Sequence, residues 1–422
     1  MTNSCKVAVK QLQVGNFIRL PISWKDHPFL FSSFKIRQQA QIELIKNLGI
    51  EHVFVIVERS DTPVLNVKDA QAQAQAQKQT TNENDLDKLS DELNKQKAES
   101  IEAHKSLRRH LQKTEQQFER SVAMIRSLMG KLRNRPLNAV NDAKELIHNI
   151  CEQLLTSDKL VLHLMADSKN DDGIYFHSLN VSVLSMLIAK ELGWTRNEIE
   201  LIGLGALFHD TGKLKVPTQL MRKTTPLTQA EQNFINQHPA MGVDLLKLAD
   251  NFPTEALPII LNHHEFLDGS GTPKGLKESE IDKLSQLVTA VNTYDNLCHS
   301  DRSRTRTPFS ALGYLYKHYQ AQLNPEIVSR MVKMLGIYPP GSIVELSSGQ
   351  YGMVMSVNVS QLLLPRILVY DALVPKEQAP IVELAQEGIT IVRCLPPAAL
   401  PEKVFKYLNP RERVSYFFGS DN

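Results

Sequence analysis

The spacing of apolar and polar positions changes along the chain, and each change marks a part. Val7 to Leu20 and Val53 to Val57 are rich in β-branched residues with turn signals beside them, which predicts short strands. Between them Ser33 to Leu48 reads as a helix, with Gly49 placed to close it. From Leu86 the period becomes helical. Leu107, Leu111, Phe118, Val122, Ile125, Met129 and Leu132 recur at three-four spacing among Lys, Arg, Glu and Gln. This predicts a long amphipathic helix that Pro136 ends or kinks. A coiled-coil homodimer through 86–132 and a single helix laid on the following domain both satisfy the stripe. Ala139 to Leu335 is nearly all helical by pattern, punctuated by Pro217, Pro226, Pro239, Pro253 and Pro258. After Gly336 the texture turns to strands at Ile343 to Leu346, Gly352 to Val359 and Arg366 to Tyr370.

The expected architecture is therefore mainly α, with a small α+β unit at 1–60 and a β-rich module at 336–422. Between them come a linker at 61–85, the long helix at 86–138 and a helical domain at 139–335. The linker contains the alternating tract Ala70 to Gln77, which has no core-forming side chains. With 422 residues the chain is long enough for two or three domains. A net charge of +2 gives no bulk attraction to a nucleic-acid polymer or a membrane. Four cysteines, Cys5, Cys151, Cys298 and Cys394, lie far apart without metal-knuckle spacing and read as reduced thiols. No apolar run is long enough to cross a bilayer, and no signal-peptide pattern opens the chain, so the expected location is the cytoplasm.

The chemistry concentrates in the helical domain. His209-Asp210 closes the apolar run Leu201 to Phe208 and continues as Thr211-Gly212-Lys213. His177 lies upstream; His238-Pro239 and His263-His264-Glu265 lie downstream. Any one of these histidines alone would more often cap a helix or pack in a core. As an ordered series of five histidines and an aspartate they form a ligand supply for two divalent cations, and such sites hydrolyse. A carboxylate can bridge two cations, and neutral imidazoles fill outer positions without cancelling the charge.

The segments His177-Ser178-Leu179-Asn180-Val181, His209-Asp210-Thr211-Gly212-Lys213, His238-Pro239, His263-His264-Glu265, Asp268 to Leu276 and Tyr294-Asp295-Asn296-Leu297 together resemble the HD-GYP phosphodiesterases of the HD hydrolase superfamily. The first sixty residues, with Trp24 and His27-Pro28-Phe29, resemble the small N-terminal domain that accompanies one bacterial subset of that family. The resemblance implies an HD-type helical hydrolase domain that opens cyclic di-GMP to pGpG, or onward to GMP, in second-messenger signalling. By analogy His177, His209 and Asp210 hold one metal. Asp210 bridges to a second, held by His238, His263 and His264. The mixed donors suit iron, manganese, nickel or zinc alike. Lys213 is placed to reach a substrate phosphate, and Arg302 and Arg304 suit a dianionic dinucleotide.

Three departures stand out. Asn292 occupies the position where the family closes its metal site with an Asp, and Asp295 is a candidate substitute. Gly173 stands where some members place a third-metal Glu. The Gly-Tyr-Pro signature reads Gly271-Thr272-Pro273. Glu265 and Asp268 fit equally as imidazole partners or helix caps. Competing readings are a non-catalytic cyclic-dinucleotide sensor or scaffold, a phosphodiesterase for mixed cyclic GMP-AMP, and another HD hydrolase activity. The N-terminal unit is a candidate surface for a signalling protein.

Overall fold

The computed structural model describes residues 4–66, 83–156, 160–165, 173–299, 306–357, 363–384, 389–408 and 415–420. These form two compact units: 1–109 with 343–354 and 366–410, and 110–342 with 355–365 and 411–422. The Gln-Ala tract, Arg302 and Arg304 lie outside the described residues.

In the first unit, strands β1 (Ser4–Ala8), β2 (Phe17–Arg19), β3 (Ser33–Lys35) and β4 (His52–Ile56) form a sheet in the order β1-β4-β2-β3. Helix α1 (Gln39–Asn47) packs its Ile42, Leu44 and Ile45 into the core with Ile18, Leu20 and Phe29, and Gly49 follows at φ 71°. The helix expected over Ser33 to Leu48 is thus shorter. Its first residues pair instead with Phe17–Arg19, because a β-edge partner satisfies backbone groups that a helix start would leave open. A second sheet, ordered β10-β6-β7-β8-β9, contains β6 (Ile343–Leu346), β7 (Tyr351–Ser356), β8 (Arg366–Val369), β9 (Ile381–Glu383) and β10 (Ile391–Leu395). Arg59 fastens the two sheets, donating to the carbonyls of Ser348 and Gly349 at 3.1 and 3.0 Å. The backbone N–H of Ser32 does the same to Asp371 Oδ2.

The second unit is helical. Helix α2 (Glu83–Leu132) buries Phe118, Val122, Ile125, Leu128, Met129 and Leu132 in its core. That half of the stripe is taken up by the chain itself, so it forms no free coiled-coil seam. Pro136 does not kink this helix; it opens the next, α3 (Pro136–Thr156), where its fixed φ and missing N–H suit a first turn. Then follow α4 (Gly173–Glu191), α5 (Arg196–Phe208), α6 (Thr218–Met221), α7 (Gln229–Ile235), α8 (His238–Leu246), α9 (Leu257–Asn262), α10 (Lys283–His299), α11 (Pro308–His318) and α12 (Pro325–Leu335). Helix α4 is buried on every side, in keeping with its near-continuous apolar sequence. The nearly all-helical expectation missed one strand: Leu160–Met165 pairs antiparallel with Ser415–Ser420, a partner about 250 residues distant that no local pattern signals. Among the described residues no helix is long and apolar enough to cross a membrane. The fold is mainly α with a small α+β unit and a β-rich C-terminal module.

Candidate active site

Four short segments deliver the six side chains. Helix α5 starts with a capping box, Thr195 with Glu198, and ends at His209, so Asp210 sits on the turn just past the helix. His238 opens α8, His263 ends α9, and His177 lies in the first turns of α4. What draws the Asp210 turn against α8 is Gly212. A Cβ there would lie 1.8 Å from the carbonyl oxygen of His238, so only glycine permits this approach.

The ligand-type atoms fall into two groups that share Asp210. His177, His209 and Asp210 form one; Asp210, His238, His263 and His264 form the other. Within each, the donor atoms lie within 4.8 Å of one another. The two carboxylate oxygens divide between them. Oδ2 lies 3.5 Å from His177 Nε2 and 3.4 Å from His209 Nε2, while Oδ1 lies 3.2 Å from His238 Nε2 and 3.6 Å from His263 Nε2.

The imidazoles are turned by one repeated device. His209, His238 and His263 each donate Nδ1–H to the carbonyl three residues earlier, Ala206, Ile235 and Ile260, at 2.7, 2.8 and 2.8 Å. His177 donates Nδ1–H to Asp295 Oδ2 at 2.6 Å. In its neutral form an imidazole has one N–H, so a ring that donates Nδ1–H in this way turns a bare Nε2 lone pair inward. Nε2 of His177 and His209 are 3.1 Å apart, and those of His238 and His263 3.2 Å. Lone pairs at that spacing repel unless positive charge lies between them.

Burial reinforces this. It lowers His209, takes His263 down to about 3 and, helped by His263 and His238, holds His264 well below the usual histidine value. Burial opposes ionisation of Asp210, but Lys213 and His209 overcome it and hold the carboxyl well below its ordinary range. The site thus presents a carboxylate and, at His209, His263 and His264, neutral imidazoles. Asp210 Oδ1 is also buried without a hydrogen-bond partner, which is costly unless something cationic completes it. This donor set fits divalent metal ions.

Around the cluster the structure sorts the other candidates. Lys213 lies at the rim, Nζ 2.5 Å from Asp210 Oδ2. Asn292 is buried on α10, its amide oxygen accepting from Asn296 Nδ2 at 2.9 Å. Asp295, on the same helix, bonds the cluster through His177. Its carboxylate takes His177 on one oxygen, and Asn180 and His299 on the other. Burial opposes that ionisation too, but His299 and His177 outweigh it and depress Asp295. Sequence reasoning gave Asn180 and His299 no role. The available signals were their positions, three residues after His177 and four after Asp295, each on the same helix face as its partner.

Glu265 neither orients an imidazole nor caps a helix. Its two oxygens accept from the backbone N–H of Lys274 and Leu276 and so tie down the loop after Thr272-Pro273. Asp268 turns that loop by accepting from Ser270. Gly271 passes so close to Glu265 and Phe266 that a Cβ would lie 2.4 Å from Phe266 N; the loop keeps its turn without the tyrosine. Arg306, next to the undescribed Arg302 and Arg304, stacks on Tyr314 with Cζ 3.8 Å from the ring centre.

A model of the HD domain matches residues 89–327, and one of a domain of unknown function, DUF3391, matches 4–143. The chain is 26% identical over 392 residues to cyclic di-GMP phosphodiesterase PA4108 of Pseudomonas aeruginosa, covering 91% of this chain and 90% of that one. It is 32% identical over 155 residues to the cyclic di-GMP phosphodiesterase response regulator RpfG of Xanthomonas campestris pv. campestris, covering 36% of this chain and 41% of that one. It is 30% identical over 164 residues to 3'3'-cGAMP-specific phosphodiesterase 3 of Vibrio cholerae, covering 39% of this chain and 35% of that one. The HD model spans more than half of the chain and contains every residue of the cluster: the protein belongs to the HD-domain family, and its residues 4–143 match DUF3391.

Proposed function

We propose that this protein is a metal-dependent phosphodiesterase that hydrolyses cyclic di-GMP to linear pGpG. One observation carries the reading. A single buried carboxylate, Asp210, offers each of its oxygens to a separate set of bare imidazole nitrogens. That is a donor arrangement for two divalent cations, one at His177 and His209, the other at His238, His263 and His264. Iron, manganese, nickel and zinc all suit these donors.

Divalent ions, when bound, supply Lewis acidity toward phosphoryl oxygens and make water nucleophilic at neutral pH. The chain's own residues do the rest. Asp295, braced by Asn180 and His299, fixes the tautomer and tilt of His177. Backbone carbonyls fix the imidazoles of His209, His238 and His263. Lys213, partly exposed beside Asp210, gives a charge-assisted contact to a substrate phosphate. Arg302 and Arg304 remain candidates for the second phosphate. The substrate assignment rests on the relative that matches nearly the whole chain, a cyclic di-GMP phosphodiesterase. Mixed cyclic GMP-AMP is the second reading, favoured by the shorter match to the 3'3'-cGAMP-specific enzyme.

The test is anaerobic purification, metal analysis, and assay with both cyclic dinucleotides. Bound transition metal and release of pGpG, abolished by chelation and restored by metal, are expected. Binding of cyclic di-GMP by metal-loaded protein without cleavage would replace the enzyme with a sensor. Neither binding nor cleavage of either dinucleotide would end both readings.

A further inference from the structure

The N-terminal unit contains a second built site, and its charge is of the opposite kind. A cleft of about 550 Å³ opens between the segment Trp24 to Pro28 and the face of α2 that carries Lys97 and Ile101. That volume is in the range of small-molecule sites. Its apolar wall includes Trp24, Leu48 and Ile101.

Three polar groups on the wall are incompletely served. Lys97 is only 8% exposed. Its ammonium donates to the carbonyls of Trp24 and His27, at 2.5 and 2.6 Å, and lies 4.1 Å from the centre of the Trp24 ring. Among the described residues no carboxylate forms an ion pair with it; Asp26, also on the cleft wall, acts on it only at longer range. His27 is 4% exposed and its Nδ1 has no partner. The side-chain oxygen of Gln378, arriving from the C-terminal module of the same unit, is buried and also without one.

We infer that this cleft is a binding site for a small organic anion, a carboxylate or phosphate monoester on an apolar or aromatic body. The anion offsets the Lys97 charge, the body lies along Trp24, Leu48 and Ile101, and polar atoms of the ligand serve His27 and Gln378. A buried cation held only by dipoles and a ring is costly, and a counter-ion in the cleft removes most of that cost. The titration behaviour agrees. Burial lowers the Lys97 ammonium to about 8. Burial and the neighbouring Lys97 charge together lower the His27 imidazole to about 4. Asp26 opposes both shifts without cancelling either.

The chain has two tryptophans, Trp24 and Trp194, so the full-length Trp194→Phe protein reports on the cleft by fluorescence. Phenyl phosphate, benzoate and the uncharged benzyl alcohol serve as probes, with far-UV circular dichroism as fold control. Saturable quenching by one or both anions is expected, phenyl phosphate and benzoate separating the two anion types. Benzyl alcohol should bind at least about tenfold more weakly, as should either anion to Lys97→Met, since one charged contact is lost. Lys97→Arg should retain binding. No saturable response to either anion, or equal affinity for anion and alcohol, overturns the inference. So does undiminished anion binding by a folded Lys97→Met protein. If that variant does not fold, the comparison of anion with alcohol in the parent decides alone.

Discussion

The Asp210 cluster and the Lys97 cleft both bury a charge, but they are completed differently. At Asp210 the surrounding side chains are donors turned inward: four bare imidazole nitrogens and a carboxylate oxygen without a hydrogen bond. At Lys97 the charge is positive and its partners are carbonyl dipoles and an indole face. At the first, facing imidazole nitrogens have no cation between them; at the second, the ammonium has no ion-pair partner among the described residues. The comparison teaches that an unbalanced buried group identifies the sign of a missing ligand more securely than the shape of a pocket does.

The heaviest blow to this contrast is Asp210→Ala. Removing the only carboxylate shared by both groups should leave the helical fold intact but abolish metal binding and turnover, as checked by metal analysis, circular dichroism and cyclic di-GMP hydrolysis. Full metal content in that variant would show that the imidazoles alone suffice. Gly212→Ala comes next. Its methyl group meets the His238 carbonyl, so the turn must move, at a cost of about 1–3 kcal/mol or more. Denaturant melts should show the loss, and metal content should fall together with activity.

Lys213→Ala should keep its metal and lose roughly 10- to 150-fold in turnover or dinucleotide affinity, the value of one charge-assisted contact. Steady-state kinetics beside metal analysis would settle it; loss of metal would make Lys213 a structural partner of Asp210. Asp295→Asn should weaken metal affinity about 10- to 100-fold by loosening His177. Asn292→Ala, whose amide is bonded to Asn296, should cost less. The reverse ranking in competitive chelator titrations would make Asn292 the ligand. The smallest effect concerns the cleft. His27 has its folded value lowered from 6.5 to about 4, so the unfolded chain binds the extra proton between those values. Its contribution to stability should be full above about pH 6.5 and decline as pH falls through 4. Urea melts of wild type and His27→Gln across that window should converge toward acid; parallel curves would show that His27 is not held neutral.

Much of the catalytic unit was legible in advance because its signals are local. The apolar run Leu201 to Phe208 marks a helix, and His209-Asp210 emerges at its end. Gly212 and Lys213 follow in the same turn. The ordered histidines identified the chemistry before their positions in space were known. Less legible was what depends on distant partners. Ser33–Lys35 carries a helix-like pattern, but an available sheet edge draws it into a strand. Leu160–Met165 becomes a strand only because Ser415–Ser420 lies beside it. Glu265 could be read as an imidazole partner or a cap until the backbone of Lys274 and Leu276 was seen against it.

The sequence by itself determined the helices of the helical domain, the six ligand-type side chains and the family they point to. These rest on periodicity, caps and residue chemistry, which are properties of neighbours along the chain. Only the tertiary structure decided that Asp210 divides its oxygens, that Asp295 bonds His177, and that Lys97 is buried beside Trp24 without an ion pair among the described residues. Those outcomes depend on which backbone segments approach within a few ångströms, and that proximity is set by packing of the whole unit, not by spacing along the chain.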